Sequence, residues 1–144
     1  MRQIGTTNRR VEPRDRRRGT TTVEFAVVAP VFFLFVLGVI EIGQAMMVQT
    51  VMTNAAQLGA RAGALNGAQN SDVSTTVNNY LANAGISGAT STPTPSPPSS
   101  AYPGQNIQVT VTLPFSNVSW LPLPSYLGDT TLSATAIVQR ETGQ

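Results

Sequence analysis

From Phe25 to Ile40 the chain carries no charge and almost no polar side chain. A charged stretch precedes it, Arg14-Asp15-Arg16-Arg17-Arg18, and one carboxylate, Glu24, stands at its threshold. The 21 residues from Thr20 to Ile40 would rise about 31 Å as a helix at 1.5 Å per residue. That matches a hydrocarbon core of roughly 30 Å. The pattern predicts a transmembrane segment over 20–41, with Pro30 tolerated inside it as a kink. Glu41 closes the uncharged run and marks its expected outer boundary. A cleaved secretory signal is the competing reading. The apolar run is long for one, and no small-x-small pair marks a clean cut near Gln44-Ala45.

Beyond the span the pattern stays helical. Ile42 to Leu65 lacks proline and is rich in Ala, Met, Gln and Leu, which predicts a continuation of the helix over 42–66. Two rows run at four-residue spacing: Ala55, Gly59, Gly63, Gly67 and Ala56, Ala60, Ala64, Ala68. Residues four apart share a helix face. Ala55, Ala56, Gly59, Ala60, Gly63 and Ala64 therefore form a candidate packing face where another backbone can approach closely. The plainer reading is that each glycine weakens the helix end by about 1 kcal/mol.

Gly67-Ala68-Gln69-Asn70 reads as a break. A short helix over 71–85 follows, with Ser71 as its N-cap, Val73, Val77, Tyr80, Leu81 and Ala84 at helical spacing, and Gly85 as its stop. Residues 86–104 are rich in Ser, Thr and Pro and read as a solvated loop. The pattern then turns to period two. Ile107, Val109, Val111 and Leu113 alternate with Gln108, Thr110 and Thr112, and further on Leu132, Ala134, Ala136 and Val138 alternate with Ser133, Thr135 and Ile137. Each set predicts a half-buried strand within a β-rich head over 105–144. Between them, Trp120, Leu121, Leu123, Tyr126 and Leu127 lie among prolines and are expected to cover the sheet or touch a membrane surface. A two-stranded sheet is marginal in water, so it should lean on the Ala/Gly face of the long helix. The predicted class is α+β: a long N-terminal transmembrane helix extending into a small head with a short helix and a small antiparallel sheet.

Charge sharpens this picture. Residues 1–18 hold seven arginines against Glu12 and Asp15, a net of +5; residues 19–144 hold Arg61 and Arg140 against five carboxylates, a net of −3. The basic charge is confined to a leader over 1–19. Such a run can bind nucleic acid. Next to an apolar segment it reads instead as a signal that keeps the N-terminus in the cytoplasm, and no nucleic-acid partner is expected.

The 144 residues include no Cys, His or Lys. This removes disulfides, thiolate metal sites and the commonest general base. No carboxylates are paired for acid–base work, no serine has a partner base, and no phosphate-cradling glycine loop is present. The sequence predicts no enzyme, no metal and no cofactor.

The string Arg16-Arg17-Arg18-Gly19-Thr20-Thr21-Thr22-Val23-Glu24-Phe25 resembles the class III leader of prepilin-like proteins. Those leaders are cut after the glycine and keep glutamate as the fifth mature residue. The stretch through Pro30, with Gly38-Val39-Ile40-Glu41-Ile42-Gly43 and Asn54-Ala55-Ala56-Gln57-Leu58-Gly59-Ala60-Arg61-Ala62, is similar to the TadE-like minor pilins or pseudopilins of tight-adherence pili. The ending Leu132 to Glu141 is similar to the close that many members share.

The resemblance implies a bacterial inner-membrane protein with a single pass and an outward C-terminus. It implies processing between Gly19 and Thr20 by a prepilin peptidase that reads the leader charges Arg14, Arg16, Arg17 and Arg18. Other implied partners are fellow pilins or pseudopilins, the assembly platform and the lipid bilayer. Tyrosine often follows the glutamate in the major pilins of these systems; Phe25 here favours a minor component. For Glu24 two roles stand. It completes a capping box with Thr21 at the helix start, or it pairs with the α-amine of Thr20 in a neighbouring subunit, as the family implies. An unprocessed membrane anchor with an outer interaction domain, and a secreted protein, are the alternatives.

Overall fold

The computed structural model describes residues 17–119 and 130–140, with side chains from Thr21 onward. Arg14, Arg16, Trp120, Leu121, Leu123, Tyr126, Leu127 and Glu141 lie outside the described residues. The class is α+β. Helix α1 spans Arg17–Gly63 and α2 spans Asn70–Asn83; strands β1 (Thr90–Thr94), β2 (Asn106–Pro114) and β3 (Thr131–Gln139) follow. Short 3-10 turns at Pro98–Ser100 and Phe115–Asn117 flank β2.

The chain divides into two compact units, Met1–Leu37 and Gly38–Gln144. In the first, α1 bares its apolar side chains: Val23, Phe25, Phe32, Phe33 and Phe35 are all more than half exposed. Pro30 lies within α1 without ending it. The helix opens at Arg17 with no acidic residue in its first turn. Thr21 and Glu24 therefore sit beyond the free N–H groups of the opening turn, and the expected capping box does not mark the helix start in the uncut chain.

The second unit is the head. Its core joins Val48, Met52, Ala55, Ala56 and Ala60 of α1 to Val73, Val77 and Leu81 of α2. Ile107, Val109, Val111 and Leu113 of β2 and Ala134 and Ala136 of β3 complete it. The alternation read along β2 is the burial seen, with odd positions from Ile107 to Leu113 buried. Small alanines on β3 and a row of alanines and glycines on α1 bring the sheet and helices close. Larger residues from α2 and β2 fill the gap between them.

The sheet has three strands in the order β1-β2-β3, both pairs antiparallel. The third strand is the departure from the sequence reading: β1 comes from the Ser/Thr/Pro-rich segment. Its register explains how proline is admitted. Phe115 N donates to Thr130 O and Arg140 N donates to Gln105 O, so the odd positions of β2 bond to β3. In an antiparallel ladder the backbone groups of successive residues point to opposite sides. Val109 thus bonds β3, and Pro93, its partner on β1, faces away from the ladder. The missing N–H of Pro93 costs no sheet hydrogen bond, as expected for an edge strand.

Helix α2 begins two residues earlier than its serine suggested. The N-cap is Gln69, whose backbone N–H donates to Asp72 Oδ2 at 2.8 Å. At the other end Gly85 takes a φ of 74°, and Ile86 N donates to Leu81 O at 2.9 Å. This is the Schellman closure that a left-handed glycine permits.

Candidate functional site

The residues singled out in the sequence fall on α1, in both units. Gly19 and Thr20 lie within its first turns, and the side chain of Glu24 is exposed. Arg17 and Arg18 open the same helix.

The small-residue strip lies in the head and is covered by the chain's own elements. Ala55, Ala56 and Ala60 have no exposed surface; Gly59 and Gly63 are buried and Ala64 is half-buried. A Cβ built on Gly59 would stand 2.6 Å from Val77 Cγ2, and one on Gly63 would stand 3.1 Å from Ile107 Cγ2 and 3.3 Å from Val73 Cγ2. The close approach foreseen for this face is made by α2 and β2. Gly67 leaves the row: it is exposed and takes a φ of 77° in the turn after α1.

Glu41 is not a surface boundary residue. It is 1% exposed and belongs to the head. Ser119 Oγ donates to its Oε1 at 3.5 Å, the long limit of a hydrogen bond. Its Oε2 is buried with no hydrogen-bond partner among the described residues. Two glutamines on α1 make similar inward ties. Gln44 Nε2 donates to Val118 O, and Gln49 Nε2 donates to Ser133 O on β3 at 2.6 Å. Sequence reasoning passed over both glutamines and Ser119. Their partners lie 74 to 84 residues away, and no local spacing announces such a contact.

The two cations of the head differ. Arg140 is tied down: its Nη1 donates to Ser99 O and Ala101 O, and its Nη2 to Asn66 Oδ1. Arg61 is exposed near the end of α1 and borders a groove with Leu65, Val138 and Gln139. The described carboxylates Glu24, Glu41 and Asp72 are spread along the chain. Among the described residues no three metal-ligand side chains gather.

The arrangement is thus a long apolar helix led by a Gly19/Glu24 motif, with its far half built into a small head. Residues 19–61 match the family model described as TadE-like protein. The match starts at the candidate cut site and ends at Arg61, so it covers the motif and most of α1 and leaves out α2 and the sheet. No curated protein and no solved structure matches the chain. The resemblance read from the leader and the long helix holds over the TadE-like segment. The one candidate membrane span among the described residues, Thr21–Gly63, overlaps that segment and is long and apolar enough to serve as a membrane anchor.

Proposed function

We propose that this chain is a minor pilin or pseudopilin of a tight-adherence pilus, acting structurally and not as an enzyme. The observation that carries the reading is the TadE-like match over 19–61, beginning at Gly19 and followed at once by Glu24 and an uncharged run. The arginine-rich leader holds the N-terminus in the cytoplasm, α1 crosses the inner membrane once, and the head stands outside. A prepilin peptidase hydrolyses the Gly19–Thr20 peptide bond, which frees an α-amine on Thr20. The enzyme needs a small residue at the cut, and the basic leader keeps the cut at the cytoplasmic face.

Glu24 is the residue assigned to assembly. A carboxylate bordering hydrocarbon is costly unless paired. The α-amine of Thr20 in an adjacent pilin is the cation that cleavage supplies. The trimmed helices then pack with those of other pilins or pseudopilins on the inner-membrane platform.

The test is a strain whose only copy carries Glu24→Gln. The variant retains shape and a hydrogen-bond acceptor but loses the charge, and losing it eases insertion. The expected result is a processed, membrane-bound protein that fails to support piliation. Normal pili from that strain would remove the assembly role. Gly19→Trp should give an uncut protein, which separates a failure of cleavage from a failure of assembly.

A further inference from the structure

Within the head, α1 presents one face to solvent along its whole length, and that face changes character partway. Val39, Ile42, Met46 and Met47 are exposed, the two methionines by 68% and 70%. With Gly43 they recur at spacings of three and four, which is one helical stripe. The same stripe continues as Thr50, Asn54, Gln57 and Arg61, all exposed. The surface therefore passes from wholly apolar to wholly polar between Met47 and Asn54. Over the apolar part the polar side chains turn to the head, Glu41 toward Ser119 and Gln44 toward Val118 O, and just beyond it Gln49 bonds Ser133 O at the surface. At the change itself, Thr50 spends its hydroxyl on Met46 O at 3.0 Å.

We infer that the water boundary of the membrane lies at Met47–Thr50 and not at Glu41, so that the base of the head is immersed in the lipid interface. This rests on the membrane-anchor reading of α1. Val23 to Met47 is 25 residues, about 37 Å of helix. That exceeds the hydrocarbon core of roughly 30 Å and falls within the roughly 40–45 Å that includes the headgroup region. The burial of Glu41 follows: a carboxylate at this depth is costly against lipid, and the head encloses it.

The apolar surface also continues from the helix onto the head. A cleft of about 270 Å³ beside Met47 is lined by Val48, Val51, Ile86 and Val118 together with the polar but uncharged Gln44 and Asn117. Lipid suits this surface better than a second copy of α1. The small-residue strip that would admit another helix closely is already filled by α2 and β2, whereas the exposed stripe carries long methionines.

The chain has no cysteine, so single-cysteine variants of the full chain can be labelled cleanly. Phe33→Cys, Met46→Cys, Met47→Cys and Gln57→Cys, each exposed in the structure, would carry an environment-sensitive fluorophore in phosphatidylcholine–phosphatidylglycerol vesicles. Nitroxide lipids labelled in mid-chain and near the acyl carbonyl would be compared with aqueous iodide. The expected result is loss of fluorescence at 33 to the mid-chain nitroxide, loss at 46 and 47 to the shallow nitroxide, and loss at 57 to iodide alone. Quenching at 33 with iodide-type behaviour at 46 and 47 would overturn this inference and leave the anchor standing. Protection of 46 and 47 from both quenchers would also overturn it, by showing a protein cover. Iodide quenching at 33 would remove the anchor reading itself.

Discussion

Among the described residues Glu41 is the one charged side chain buried in the head. By position it closes an uncharged run, which suggests a boundary. In the head it is enclosed, with one oxygen at 3.5 Å from Ser119 Oγ and the other without a partner among the described residues. A buried polar group left unsatisfied costs about 1–3 kcal/mol, and apolar residues of similar volume often replace buried charges without loss. Glu41→Leu is therefore expected to hold or raise the stability of the head, measured by thermal unfolding in detergent. A drop of several kcal/mol would mean that the carboxylate makes a strong interaction in the folded head. Ser119, Gln44 and Gln49 could not be found from the sequence, because a lone serine or glutamine has no signature and its partner is set by the tertiary fold. Gly19 and Glu24 stand out as a motif because the signal is local: charge, glycine, carboxylate and apolar run in order along one stretch of chain.

At the scale of elements, periodicity was readable wherever one face alone is buried. The long helix, α2, β2 and β3 each announce themselves by spacing. Strand β1 did not, since a run such as Thr92-Pro93-Thr94-Pro95 carries the composition of a loop. Only the register, which turns Pro93 outward from β2, makes it a strand. The start of α2 was missed by two residues because Gln69, a less usual cap, uses Asp72 where Ser71 looked the better candidate.

The glycines of α1 give a paired test of the packing. At Gly59 an added Cβ meets Val77 Cγ2 at 2.6 Å, whereas at Gly43 it meets nothing within 4 Å. Overpacking costs about 1–3 kcal/mol, and alanine gains about 1 kcal/mol over glycine in a helix. Gly59→Ala should lower the unfolding temperature of the head, while Gly43→Ala should leave it unchanged or raise it. Equal effects at the two positions would show that helix propensity, and not the contact with α2, governs this strip.

For the whole molecule, the two units divide the work in different ways. The TadE-like match covers most of α1, whose sequence carries both an apolar span and the Gly19/Glu24 motif. The head rests on ordinary packing: a three-stranded antiparallel sheet and α2 closed over a strip of small residues. Its α+β class was legible from the switch of period along the chain, and its lean on the Ala/Gly face was legible from the weakness of a small sheet alone. Which residues would cover that face was not, since a strip of small side chains permits any close neighbour. The role proposed for this protein is that of a pilin-like subunit processed after Gly19. It is tested most directly by sequencing the N-terminus of the full-length gene product extracted from the membranes of a strain with an active prepilin peptidase. The account predicts a chain that begins at Thr20, and one that begins at Met1 when the peptidase is absent. A mature chain that begins at Met1 in both strains, or beyond about residue 45 as for a cleaved secretory signal, would contradict it.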